Sequence, residues 1–253
     1  MRRKTAYFEV VTLIKSMVLT AAIAVSIALY AQKNTDQPPD KTLPNIIVID
    51  PGHPSETSNG CAHHGLTELQ ICWDVALKLE KLLTALPDVK VIKTKEKADQ
   101  FVTNKERAEI ANAAKANLMI RLHCDSGKGT GCTLYYPDKP GTKMGFTGPS
   151  QEVIAQSLKA AEAIQTGLAK TLKDKLQVNP IKTDSDTYVG SRQGALTGSI
   201  FSRVPTVVIE MVYLNNASDA AFIKDEAGQN LMAKALLEGI KEFISKRHQE
   251  IAQ

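Results

Sequence analysis

The chain has 253 residues, 43% hydrophobic and 23% charged, with a formal net charge of +4 and four cysteines. Arg2, Arg3, Lys4, Lys15 and Glu9 together supply +3 of that charge, so the remainder is near neutral and offers no basic surface for nucleic acid. The spacings of Cys61, Cys72, Cys124 and Cys132 match no zinc-finger pattern.

Residues 1–31 begin with a basic cluster and continue into an apolar stretch that is free of charge from Met17 to Ala31. This reads as a secretory signal or an N-terminal membrane anchor, with Ser26-Ile27-Ala28 as a small-residue cleavage site. Either form predicts an extracytoplasmic location, in the periplasm or cell envelope. Residues 32–44, polar and Pro-bearing, read as a linker. Residues 45–250 are the right size for one α/β domain. Export permits disulfides, so a Cys124–Cys132 or Cys61–Cys132 bridge stands beside the plainer reading of core thiols.

Strand and helix patterns alternate through 45–250, which predicts one three-layer domain. Its expected core is a mostly parallel, twisted sheet of about six strands with helices on both faces. The first strand is 45–50. A Gly/Ser/Asn-rich loop leads to a helix with Thr67 as N-cap and Gln70 completing a capping box. Leu69, Cys72, Ala76, Leu79 and Leu83 repeat at helical spacing, with Trp73 on the same helix as a core residue. Short strands follow at 89–92 and 117–123, separated by a helix over 103–116, and then a strand at 132–136. Residues 137–150 read as an exposed loop before a helix over 151–176. Short strands are predicted at 187–190 and 194–199, the last strand at 206–211, and helices at 217–224 and 228–247.

Three apolar runs end in polar residues. Ile46-Ile47-Val48-Ile49-Asp50 leads to His53, Leu118-Met119-Ile120-Arg121-Leu122 to His123, and Val207-Val208-Ile209 to Glu210. In open α/β sheets, ligands bind at the carboxyl ends of the strands. Glu68, at the start of the first helix, reaches the same rim. Taken singly, each has a plain reading: a first-turn acid favoured by the helix dipole, a loop histidine, a satisfied core histidine. Glu210 is harder to explain away, because a buried strand seldom ends in an unpaired acid. Two histidines and a glutamate form a known ligand set for a catalytic zinc, with a further carboxylate to handle protons. His63 and His64 compete as ligands, but adjacent histidines on a polar loop read as exposed.

Ile49-Asp50-Pro51-Gly52-His53, Glu68, Arg107-x-x-x-Ala111-Asn112, Leu122-His123 and Val208-Ile209-Glu210-Met211-Val212-Tyr213-Leu214-Asn215-Asn216 occur in order over 45–245. Together they resemble the signatures of the zinc-dependent N-acetylmuramoyl-L-alanine amidases, the amidase-3 family. The resemblance implies one Zn2+ per chain on His53, Glu68 and His123, with Glu210 as catalytic acid/base. It implies a monomer that cleaves the amide between N-acetylmuramic acid and L-alanine in peptidoglycan or its fragments. Pro54-Ser55-Glu56, Arg121 and Cys124-Asp125 depart from the family pattern. Arg121 is a candidate for a stem-peptide carboxylate, Asp125 for binding substrate or orienting His123, and Arg192 and Arg203 for acidic stem-peptide groups, although a solvated arginine is the plainer reading of the last two. The 137–151 segment, ahead of a long helix near the site, is a candidate lid. A zinc peptidase or deacetylase, and an inactive wall-binding module, are the competing functions.

Overall fold

The computed structural model describes residues 44–251. The expected targeting segment at 1–31 and all but the last residue of the linker at 32–44 lie outside the described residues. In chain order the elements are β1 (Asn45–Pro51), β2 (Ala62–His63), β3 (Leu66–Thr67), α1 (Glu68–Thr84), β4 (Val89–Lys93) and α2 (Asn104–Ala113). Next come β5 (Leu118–Asp125), β6 (Thr133–Tyr136), β7 (Gly141–Lys143), β8 (Phe146–Gly148) and α3 (Gln151–Thr171). The chain continues through β9 (Lys182–Thr183), α4 (Gly190–Gln193), α5 (Thr197–Phe201), β10 (Thr206–Tyr213), α6 (Ala217–Lys224) and α7 (Glu226–Ile251).

The central sheet runs β4-β1-β5-β10-β6-β9. The first four strands are parallel, β6 is antiparallel to β10, and β9 is parallel to β6. This is the mostly parallel α/β architecture that the alternating pattern predicts. Side chains of a strand point alternately to its two faces. Ile47, Ile49, Leu118, Ile120 and Leu122 therefore pack into one large core with Ile71, Val75 and Leu79 of α1, Ile164 and Leu168 of α3, and Leu236 and Ile240 of α7. Val48 and Met119 face the other way, onto Ala111 of α2, Ala116 and Val204. On the larger layer α3 and α7 touch backbone to backbone: a Cβ on Gly167 would lie 2.2 Å from the Gly239 nitrogen.

Local signals explain most boundaries. The Thr67 side chain accepts from the Gln70 N–H and starts α1, but the reciprocal half of the expected capping box is not formed, because Gln70 Nε2 donates to Asp74 at 2.8 Å. A complete box stands on α2, between Thr103 and Glu106. Three expectations need correction. The strands expected at 187–190 and 194–199 are instead the short helices α4 and α5, and the sixth strand is β9. Of the apolar residues there, Val189 and Leu196 line a cavity and Ile200 packs against Gly141 and Gly148, so none has a strand partner. The expected loop at 137–150 contains the β7–β8 hairpin, whose Phe146 stacks on Phe201 with ring centroids 5.3 Å apart. Helix α3 ends at Thr171, short of 176.

Candidate metal centre

Parallel register sets the geometry of the site. Glu210 on β10 lies beside His123 on β5, and Asp50 on β1 lies beside Arg121 on β5. His53 follows β1 in a left-handed conformation (φ 55°), a position that side chains avoid unless their surroundings hold them there. Lys95 supplies that hold. Its buried ammonium donates to the carbonyl oxygens of Gly52 at 3.3 Å, Ala98 at 2.7 Å and His53. Gly52 has a second role, since a Cβ there would fall 2.7 Å from His123 Cε1. Only glycine lets the His123 ring lie against this turn.

His53, Glu68 and His123 each offer one ligand atom, and these atoms all lie within 4.8 Å of one another. Glu68 Oε1 is 2.9 Å from His53 Nε2 and 3.0 Å from His123 Nδ1. The two imidazole rings meet edge to face, with centroids 5.0 Å apart. His53 Nδ1 lies 3.1 Å from the Ser58 carbonyl, which can only accept; with the proton on Nδ1, Nε2 is the atom that would present a lone pair to a cation. The Glu68 carboxylate also accepts from the N–H groups of Cys61 at 3.0 Å and Cys124 at 3.2 Å. Burial alone would raise its pKa, but hydrogen bonds from His123 and His53 outweigh that and hold it below the ordinary carboxylate range. Burial keeps the His123 pKa low. An ionised Glu68 beside a neutral His123 is the protonation state in which both ligate a cation.

Glu210 completes the arrangement. Its Oε2 is buried and has no hydrogen-bond partner among the described residues. Burial, followed by the negative charges of Glu68 and Asp125, pushes its pKa well above the usual range, with Arg121 opposing. It opens with His123 and Arg121 into a cavity of about 190 Å³, which Thr57, Asn104, Val189, Leu196, Thr197 and Val208 complete.

The other candidates stand elsewhere or do other work. Asp125 does not orient His123: its Oδ1 accepts from the Ser126 N–H at 2.7 Å, and the partner of His123 is Glu68. Arg192 is not among the cavity's lining residues; it lies exposed, 3.6 Å from the Tyr188 ring centroid. Arg203 is also exposed. His63 and His64 sit on an exposed turn against Ser126 and Asn215. All four cysteines are free thiols, so neither disulfide is formed, and burial followed by the charge of Glu68 pushes Cys61 up to about 12. No residue of 137–151 lines the cavity; that hairpin buttresses the 193–201 segment that does. Asn112 bonds the backbone of Phe201 and Arg203, and Asn215 that of Gly127, so these motif residues pin loops around the site.

Sequence reasoning missed Lys95, although it follows the end of β4 and obeys the same rule of polar residues at strand carboxyl ends. It also missed Asn104 and Thr197, which carry no chemical signal of their own.

Two imidazoles, a carboxylate and an unpartnered acid at the carboxyl edge of a parallel sheet define a metal-dependent hydrolase site. The donor set fits a divalent metal of borderline softness, since it offers two nitrogens and one ionised oxygen. The family model of the N-acetylmuramoyl-L-alanine amidases, Amidase_3, matches residues 47–242, and the chain belongs to that family, which is metal-dependent. LytC of Bacillus subtilis, an N-acetylmuramoyl-L-alanine amidase, is 27% identical over 210 residues, covering 82% of this chain but only 37% of LytC. Rv3717 of Mycobacterium tuberculosis, also an N-acetylmuramoyl-L-alanine amidase, is 23% identical, covering 81% of this chain and 88% of Rv3717. The crystal structure of Ami1 from Mycobacterium smegmatis superposes with a TM-score of 0.65 at 22% identity, over 80% of this chain and 97% of Ami1, and shows the shared fold.

Proposed function

We propose that the domain hydrolyses the amide joining N-acetylmuramic acid to L-alanine in peptidoglycan or its fragments, with one Zn2+ per chain held by His53, Glu68 and His123. The observation that carries this reading is Glu210. A buried carboxyl oxygen without a partner is costly to keep, and this one belongs to a side chain that lines the same cavity as His123. Held by His53, Glu68 and His123, a zinc ion would lower the pKa of a bound water and polarise the scissile carbonyl.

The chain's own residues do the rest. Glu210 takes a proton from the attacking water as the new C–O bond forms. It returns that proton to the alanine nitrogen as the C–N bond breaks, so the amine leaves neutral and the carboxyl ends as it began. Burial suits it to both transfers, because a carboxyl of raised proton affinity is a better base than an exposed one. His53 and His123 would donate lone pairs to the metal, and Lys95 and Gly52 keep their rings in place.

The basic start and charge-free run at 1–31 support export or membrane anchoring, and peptidoglycan lies outside the cytoplasmic membrane. The expected working location is therefore extracytoplasmic. Digestion of purified peptidoglycan should release stem peptides with free L-alanine amino termini, read by mass spectrometry, and a chelator should stop their release. New termini at other residues would indicate a peptidase, loss of acetyl groups a deacetylase, and no cleavage a binding module.

A further inference from the structure

Asp50 has one negative charge to divide between two arginines. Its Oδ1 accepts from Arg107 Nη1 at 2.6 Å and its Oδ2 from Arg121 Nε at 2.8 Å. Arg107 is fully engaged, since Nη1 also donates to the Pro51 carbonyl, Nη2 to that of Pro54 and Nε to that of Val102. Arg121 is not. Its Nη2 donates to Asn104 Oδ1 at 2.6 Å, and Nη1 has no hydrogen-bond partner among the described residues. The network thus carries one positive charge in excess, on the guanidinium that lines the cavity.

That guanidinium is only 4% exposed, so bulk water does little to satisfy it. Two of its nitrogens are tied down, which fixes where the third points. Gly198 closes one side, because a Cβ there would lie 2.5 Å from Nη1. Glu210, the one acid in the cavity lining, is not its partner, because the ion pair of Arg121 among the described residues goes to Asp50. Strand alternation puts Arg121 on the same face as His123, about 6–7 Å along β5. An amide positioned at His123 and Glu210 would carry its neighbouring substituents over Arg121.

We propose that Arg121 is a specificity residue for an anionic substrate. It binds a free carboxylate on the peptide close to the scissile amide and so favours acidic stem peptides over amidated ones. This rests on the amidase reading above, and the test separates the two. The zinc-loaded full chain is given two muropeptides that differ only in whether the peptide carboxylate nearest the scissile amide is free or a carboxamide. The wild type should show a kcat/KM on the free acid roughly tenfold or more above that on the amide. Arg121→Gln should bring the ratio close to one, chiefly by loss on the acid. Arg121→Lys, which keeps the charge without the fork, should retain part of the preference. Calorimetry with the two released peptides and the wild type gives an arm that no folding defect can spoil, and the acid should bind more tightly. A wild type that treats both substrates and both peptides alike overturns the proposal. So does a ratio unchanged in folded Arg121→Gln, or an equal fall in kcat on both substrates, which would assign Arg121 to the support of Glu210. Cleavage of neither substrate by the wild type overturns the amidase reading, and the proposal with it.

Discussion

Asp50 and Glu68 are both buried carboxylates flanked by two nitrogen-bearing side chains, arginines in one case and histidines in the other. The arginines are permanent cations, so Asp50 is neutralised by the protein itself and its network holds β1, β5 and α2 together. The histidines are most useful neutral, so Glu68 keeps a negative charge that its neighbours do not cancel, and Glu210 stands close enough to feel it. A buried cluster whose acid is neutralised by its own arginines is architecture. One that gathers acids and lone pairs without a cation is built to receive one.

Substitutions on the two sides of this comparison should fail in different ways. His53→Ala should cause the largest loss: the protein still folds, but zinc content drops from about one equivalent per chain toward none, and activity drops with it. Plasma emission measurement of bound metal checks this, and full retention of zinc would refute the ligand assignment. Arg107→Met should instead leave metal chemistry nameable but folding impaired, by about 3–5 kcal/mol, because Asp50 and the Pro51, Pro54 and Val102 carbonyls lose their donor.

The same network sets an acid limit. Burial alone would raise the Asp50 pKa, but Arg107 and Arg121 outweigh it and hold the group below the usual range. A depressed folded-state pKa contributes stability that is complete above the unfolded value near about 4 and is lost as pH falls below it. Urea melts between neutral and acid pH should show that loss in the wild type and a flatter slope in Arg107→Met. The smallest effect belongs to Gly52→Ala. The added methyl would meet His123 and the Leu122 carbonyl, each within 2.8 Å, so the end of β5 must shift. Zinc affinity should fall by roughly 10–100-fold with the fold retained. An unchanged zinc Kd would show that the ring tolerates displacement.

Much of this was legible in the sequence because burial and chemistry conflict openly there. Apolar runs that end in Asp50, His123 and Glu210 mark a sheet edge, and the register sets Asp50 beside Arg121 and His123 beside Glu210. The 187–199 segment misled because Val189 and Leu196 look like strand residues, while in the folded chain they line the cavity at the starts of two short helices. Asp125 misled for a related reason: proximity in sequence to His123 says nothing about which carboxylate arrives from α1. Arg121 read as a free charge beside the site, and half of it is; the other half is fastened to Asp50 and Asn104, which only the folded chain reveals.

The most direct test is Glu210→Gln, assayed for zinc content, thermal stability and turnover on purified peptidoglycan in one preparation. The amide keeps the shape of the side chain and takes away a carboxyl whose charged form burial disfavours. Zinc should therefore stay at about one equivalent and the melting temperature should hold or rise, while turnover falls by about 10²–10⁴-fold. Turnover left intact in the zinc-loaded variant would contradict the assignment of Glu210 as the group that moves the proton.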